Sequence, residues 1–206
     1  MIALRWTMVA LVLFGACGTS GSNLSRNERD RLPRDARQEI FDAENDLVIA
    51  RNRQDEAMDR LRAVREAMNQ LDDRQDRSEK RLSALPGGSG RISALRKVTR
   101  AEQDYLDARR DVAKAEVEVA EQETVTARAR LDLVKHRQLV RIGKEPLASL
   151  KHFEEVIEAE EAKGKEKRAS SLDLRSKAQA SLDAWKAAEE NYASQTSDFD
   201  SGVWIE

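Results

Sequence analysis

Apolar residues recur every seven positions over much of this chain. In the first segment, one column with this spacing is joined by a companion column three residues further on. The first column holds Ile40, Leu47, Gln54, Leu61, Met68, Gln75 and Leu82, and the second holds Ala43, Ala50, Ala57, Val64, Leu71, Ser78 and Leu85. This is the a and d pattern of a coiled coil. The sequence therefore predicts a long helix over residues 35–85.

A second helix is predicted over residues 91–142. The stretch LPGGSG, residues 85–90, separates it from the first because Pro86 and the glycines do not continue a helix. Its two main columns are Val98, Tyr105, Val112, Val119, Thr126, Leu133, Val140 and Ala101, Ala108, Ala115, Gln122, Ala129, His136. A third, partial column of Leu106, Ala113, Ala120, Ala127 and Val134 widens the apolar stripe. This width predicts that the second helix contacts two neighbours.

The third helix, predicted over residues 147–196, has a broken pattern. Gly143 suits the C-cap of the second helix, and Pro146 suits the first turn of the third. The polar stretch EAEEAKGKEKRASS, residues 158–171, interrupts the apolar spacing. Gly164 and a capping-box pattern from Ser170 to Asp173 are consistent with a break, but a continuous solvated helix fits equally well.

The predicted fold class is all-α. The three segments are each about 50 residues long, or ~75 Å of helix. Short breaks between helices of equal length favour antiparallel neighbours, and hence an elongated, up-down-up three-helix bundle of coiled-coil helices. The alternative is a two-helix hairpin with a looser third helix, because the polar stretch leaves the third segment without a continuous stripe.

Composition narrows the classes of function. The chain has 36 Lys and Arg against 38 Asp and Glu, and only 4% of its residues are aromatic. A nucleic-acid-binding protein usually carries a basic excess, so no nucleic-acid partner is expected. The high charge also matches long helices better than a broad globular core.

The first 16 residues, MIALRWTMVALVLFGA, differ from the helical body. A short positively charged start is followed by an apolar run from Trp6 to Ala16. As a helix this run would span only ~17 Å, well short of the ~30 Å hydrocarbon core of a bilayer. It therefore has the length of a signal-peptide core and not that of a transmembrane anchor.

Phe14-Gly15-Ala16-Cys17 resembles the lipobox of bacterial lipoproteins. The small pair and the Cys fit, whereas the usual Leu three places before the Cys is replaced by Phe14, with Leu13 one place earlier. The resemblance implies cleavage between Ala16 and Cys17 and a lipid anchor on Cys17, the single cysteine of the chain. Gly18 after the Cys favours the outer membrane. The alternative is a secreted protein with an incidental cysteine.

Two segments flank the helical body. Residues 17–34, which begin at the lipidated Cys, are predicted to form a flexible tether. Residues 197–206 form a C-terminal tail in which Phe199, Trp204 and Ile205 stand among acids and serines. This tail is interpreted either as a flap over one end of the bundle or as a docking peptide.

Residues suited to catalysis or metal binding are few. The two histidines lack a Glu three residues earlier, so His136 is interpreted as a partly buried bundle residue and His152 as solvated, and no metal ligand is predicted. The glutamates of residues 154–161 precede lysines and are interpreted as a solvated charged face. No phosphate-binding loop is present in the sequence, no serine sits in a nucleophile elbow, and no histidine is placed to serve one. We therefore expect no enzymatic activity, no small-molecule substrate and no cofactor other than the covalent lipid on Cys17.

These features predict a non-enzymatic envelope lipoprotein, a helical rod held by its N-terminal lipid on the periplasmic face of the outer membrane. Such a rod would bind a protein partner or self-associate through its helices. One alternative is a periplasmic holdase chaperone, although that family resembles basic soluble trimers. Another is a coiled-coil accessory of an export or envelope assembly system.

Overall fold

The structure, a computed structural model, describes residues 24–84 and 88–196, and side chains within 24–84 and 89–194. Four helices account for nearly all of this part of the chain: α1 (Arg26–Arg31), α2 (Arg34–Ser83), α3 (Gly88–Arg141) and α4 (Ser149–Thr196). The described residues contain no β-strand. The predicted all-α class is confirmed.

The long helices run up, down and up. Leu82 near the end of α2 packs with Leu95 and Val98 near the start of α3, and Tyr192 near the end of α4 joins the same cluster. A second cluster lies at the other end of α2 and α3. It consists of Leu32, Ala36, Ile40, Ala43, Leu47, Ala50, Ala127 and Leu131. The strongest apolar packing is therefore at the two ends of the rod.

The three long helices lie side by side with α3 in the middle. Both α2 and α4 pack along α3, and they make no comparable contact with each other over the described residues. The third, partial column of α3 explains this order, because its residues Leu106, Ala113, Ala120 and Ala127 are all buried. In α2 the d-type column is buried, whereas Gln54, Leu61, Met68 and Gln75 of the a-type column are only half-buried.

The described part of the predicted tether, residues 24–34, is not a simple flexible segment. Ser25 caps α1 through a capping box: its Oγ accepts from the Glu28 backbone N–H, and its own N–H donates to the Glu28 side chain. Arg29 then pairs with Glu44 of α2 at 2.6 Å, and Leu32 enters the core. These local contacts stabilise α1, a helix that no seven-residue repeat predicts.

The turn between α3 and α4 follows the predicted cap. Gly143 has a φ of 71°, and the N–H groups of Gly143 and Lys144 donate to the carbonyls of Val140 and Leu139. This is a Schellman motif, in which glycine avoids the steric cost of a left-handed backbone. The prediction for Pro146 is off by three residues, because α4 begins only at Ser149.

Helix α4 continues through Gly164 without a break. Gly164 is buried against α3, where a Cβ would stand 3.7 Å from Cγ of Gln122. The polar stretch is thus a close contact between two helices and not a hinge. The looser third helix is not observed, because polar side chains supply the contacts that an apolar stripe would otherwise make.

Candidate interaction surface: a groove between the outer helices

A continuous groove runs along α3, with α2 and α4 as its walls. Three adjoining depressions, of about 500, 410 and 310 Å³, form the groove. Arg53, Glu123 and Arg168 line both the first and the second depression. The first and the third share Arg60, Glu116 and Arg175 in the same way. The shared residues show that the three depressions are one surface.

Two glutamates on the floor of the groove each receive one arginine from either wall. Glu116 of α3 lies 3.5 Å from Arg60 of α2 and 2.7 Å from Arg175 of α4. One heptad further along α3, Glu123 lies 3.5 Å from Arg53 and 2.8 Å from Arg168. We call these two sets the Glu116 bridge and the Glu123 bridge.

Antiparallel heptad register produces this repetition. A step of seven residues along α3 is matched by a step of seven in the opposite direction along both α2 and α4. Seven residues are two helical turns, or ~10.5 Å, so the two bridges are spaced regularly along the groove. The register therefore places four arginines, two on each wall, around a pair of carboxylates.

Exposure differs between the two charges. The glutamate side chains are 20% and 23% exposed, whereas those of the arginines are 55–64% exposed. A guanidinium has five N–H donors, and two guanidinium groups exceed what one carboxylate accepts. Each bridge therefore presents a net positive charge and spare donors at the rim of the groove.

The charge pattern reverses at the α1 end of the groove. Here the basic residue belongs to α3: Arg130 donates to Glu161 of α4 at 2.7 Å. This hydrogen bond is the main reason that the pKa of Glu161 lies below its ordinary value. The pKa of Glu160 is also lowered, first by Lys163 and then by Gln122, whose side-chain amide donates to it at 2.6 Å.

The glutamates of α4 thus differ from the predicted solvated face. Glu160 and Glu161 hold α4 against α3, whereas Glu154, Glu155 and Glu158 are exposed. Arg60 also pairs across the helices, with Glu116 of α3. Sequence reasoning missed the bridges because a single helix does not reveal which heptads of its neighbour it faces.

His136, which was predicted to be partly buried, is buried beside the turn that leads into α4. Its Nε2 lies 2.5 Å from Oγ of Ser149, and its ring is 4.5 Å from that of Phe153. The Ser149 hydroxyl donates to the carbonyl of Pro146 at 2.6 Å. The sequence did not predict this contact. The serine proton is directed at a backbone carbonyl, so this contact closes the turn, while His152 is exposed as predicted.

A second set of polar groups is buried near the α2–α3 turn. Arg74 of α2 donates to Glu102 of α3 at 2.6 Å, and Glu102 is 4% exposed. Burial, and then the charge of Glu102, raise the pKa of Glu189 on α4. Tyr105 stacks on Trp185 at 5.3 Å between ring centroids. This set ties α2, α3 and α4 together at one end of the rod.

The sites that were predicted from the sequence lie outside the described residues. These are the cleavage and lipidation residues Ala16 and Cys17, and the tail residues Phe199, Trp204 and Ile205. Within residues 24–84 and 88–196, no helix is both long and apolar enough to cross a bilayer. The same residues contain no group of three or more His, Cys, Asp or Glu side chains placed to hold a metal ion.

Comparison with known proteins adds no relative. No protein-family model, curated protein or solved structure matches the chain.

Proposed function

We propose that this chain is a non-enzymatic envelope lipoprotein whose helical rod binds a protein partner. The lipobox-like segment that ends at Cys17 carries the proposal. Several acyl chains on one cysteine hold a protein stably at a membrane, whereas a single chain binds only marginally. The proposed location is the outer membrane on its periplasmic side, for which Gly18 is the supporting residue.

The helical body supports a binding role. The long helices expose a groove with fixed side-chain spacing, which suits recognition of another helix. A holdase that grips unfolded chains needs extended apolar surface, and the charged walls of this groove match a defined partner better.

Replacing Cys17 tests the anchor. We expect Cys17→Ser to abolish metabolic labelling with palmitate and to move the protein from the membrane fraction to the soluble fraction, because serine has no thiol to accept diacylglycerol. Ser20→Ala, three residues further on, is the matched control and should leave labelling unchanged. Phe14→Leu, which restores the usual residue, should label at least as well as the parent chain. Unchanged membrane fractionation of Cys17→Ser would refute the anchor.

A further inference from the structure

The groove is long enough to accommodate a further helix. Its floor on α3 runs from Tyr105 to Arg130, which is ~37 Å of helix. Small residues such as Ala57 and Ala120 line the bottom, so a further helix could approach closely. Leu172 on the α4 wall is 63% exposed, and Ile49 on the α2 wall is 49% exposed. These apolar side chains face a concave surface that no described element covers.

The charged residues that line the groove indicate which kind of partner it binds. In the central depression, Arg53, Arg60, Arg168 and Arg175 outnumber the acids Glu56, Glu116 and Glu123. The chain as a whole has a formal charge of −2, so the groove is a local exception. The arginines stand on both rims at heptad spacing, above the small residues of the floor. A partner helix with a small apolar face and acidic residues at both edges is complementary to this arrangement.

We propose that the groove binds an acidic amphipathic helix of another protein. The helix would lie along α3 between α2 and α4, with its apolar face over Ala57, Ala120 and Leu172. Its edge carboxylates would accept hydrogen bonds from the rim arginines of the Glu116 and Glu123 bridges. This assigns a partner class to the binding role proposed above, but the groove does not depend on the anchor at Cys17.

A second copy of the chain is a poorer occupant. A symmetric dimer places the same patch of both copies face to face. Centred on the groove, it would bring the four rim arginines of one copy against those of the other, and like charges in an interface oppose association.

Residues 197–206 of the same chain are a poorer occupant of the whole groove. These ten residues reach at most ~36 Å when fully extended. Arg168 lies 28 residues before Thr196 on α4, which is ~42 Å along the helix axis. Residues 197–206 therefore do not reach the Glu123 bridge, so they do not form a helix that engages both bridges.

The test uses the full chain, purified in mild detergent, and two designed 28-residue helical peptides. Both peptides have the same alanine and leucine face, and they carry either Glu or Lys at the two edges. Fluorescence anisotropy of the labelled peptides should show that the Glu peptide binds at least about tenfold more tightly than the Lys peptide. High salt should reduce this preference. Equal affinities, or no binding of the Glu peptide, would overturn the proposal.

Paired variants locate the binding site. Arg60→Gln with Arg175→Gln removes the rim charges of the Glu116 bridge, and we expect it to weaken the Glu peptide by about tenfold. Arg62→Gln with Lys177→Gln is the matched control. It removes the same charge from the same two helices, but outside the groove. Arg62 pairs there with Asp59, and Lys177 pairs with Asp173. An equal loss of affinity in both variants would place binding elsewhere.

Two further measurements separate the remaining explanations. Arg60→Lys with Arg175→Lys keeps the charge, so this variant should retain a preference for the Glu peptide even if the Gln variant is unstable. Sedimentation should find the parent chain free of self-association through the groove. A dimer that the Gln variant dissociates would assign the groove to a second copy and overturn the proposal. Binding by Cys17→Ser should equal that of the parent, so failure of the anchor would not affect this result.

Discussion

At the scale of single residues, buried polar groups mark where α3 meets its neighbours. Glu102 accepts from Arg74 through one oxygen, while its Oε2 and the Arg74 Nε have no hydrogen-bond partner. Nε1 of Trp185 is also buried without a partner. A buried polar atom without a hydrogen bond costs about 1–3 kcal/mol. The α2–α3 turn end of the rod therefore holds polar groups that do not contribute their full stabilisation.

Glu189 offers a direct test of this polar set. Its raised pKa means that the folded protein binds the proton more tightly than the unfolded chain does. Stability from this group is therefore greatest below its ordinary pKa and is lost as pH rises through the folded pKa. We expect Glu189→Gln to raise the Tm at pH 7 by about 1–2 °C, because it removes a half-buried charge near Glu102. The gain should vanish near pH 3.5.

Thermal unfolding followed by circular dichroism measures this effect, and the neighbouring residue provides the control. Glu190 is exposed, so Glu190→Gln should leave the Tm almost unchanged at either pH. If both variants gain equally at pH 7, the gain reflects overall charge and not the environment of Glu189.

The heptad pattern predicts which residues are buried more readily than it predicts which residues pair with each other. His136 was predicted to be partly buried because it falls in a heptad column, and it is buried. Its contact with Ser149 was not predictable, since the turn geometry alone brings the two together. The Glu116 and Glu123 bridges likewise require the register between helices. That register is set by how the turns join the helices, and the columns of one helix do not contain it.

At the scale of elements, chain breakers determined what could be predicted. The ends of α2 and α3 were found to within three residues, because Pro86 and Gly143 stop helices for local steric reasons. Helix α1 was missed because six residues show no periodicity, although the spacing of Ser25 and Glu28 was a usable signal. Helix α4 was predicted with an open question at Gly164, where only the packing against Gln122 decides for continuity.

Replacement by alanine should change the stability of the protein in opposite directions at Gly164 and at Gly143. Gly164 is helical, and a Cβ there meets Gln122 at 3.7 Å, an ordinary contact. Gly164→Ala should therefore stabilise the protein by about 0.5–1 kcal/mol through higher helix propensity. Gly143 has a φ of 71°, so Gly143→Ala should destabilise the protein by about 1 kcal/mol, although the site has open space.

Urea unfolding of both alanine variants measures these changes. Gly164→Leu extends the test, because a larger side chain would have to displace α3 and should reverse the gain. A stabilising effect of Gly143→Ala, or a destabilising effect of Gly164→Ala, would contradict the assigned backbone and packing.

At the scale of the whole molecule, the number of apolar stripes sets the order of the helices. The widened apolar stripe of α3 predicted contact with two neighbours, and α3 packs against both α2 and α4. The groove between α2 and α4 was harder to predict from the sequence. Apolar clusters lie at the two ends of the rod. The Glu116 and Glu123 bridges lie between them, and these pairs appeared in the sequence only as a high charge content.

Because ion pairs join the long helices, stability should depend on pH. Arg96 of α3, together with Gln75, lowers the pKa of Glu79 on α2 to about 2. The pKa values of Glu160 and Glu161 on α4 are lowered as well. A carboxylate with a depressed folded pKa stabilises the protein above its unfolded value, 4.5 here, and this stability is lost as pH falls through the folded pKa. We therefore expect the Tm to fall steadily between pH 4.5 and about 2.

Removing one of these carboxylates identifies the source of the pH dependence. Glu79→Gln should lower the Tm at pH 7 and make its decline in acid shallower, because the variant has one fewer ion pair to lose. Glu121→Gln is the matched control, since Glu121 is exposed on α3 and should keep the slope of the parent chain. Circular dichroism melts at half-unit pH steps give both slopes. A Tm that is flat from pH 5 to 2.5, or equal slopes for the parent and Glu79→Gln, would show that the pair between Glu79 and Arg96 contributes little to stability.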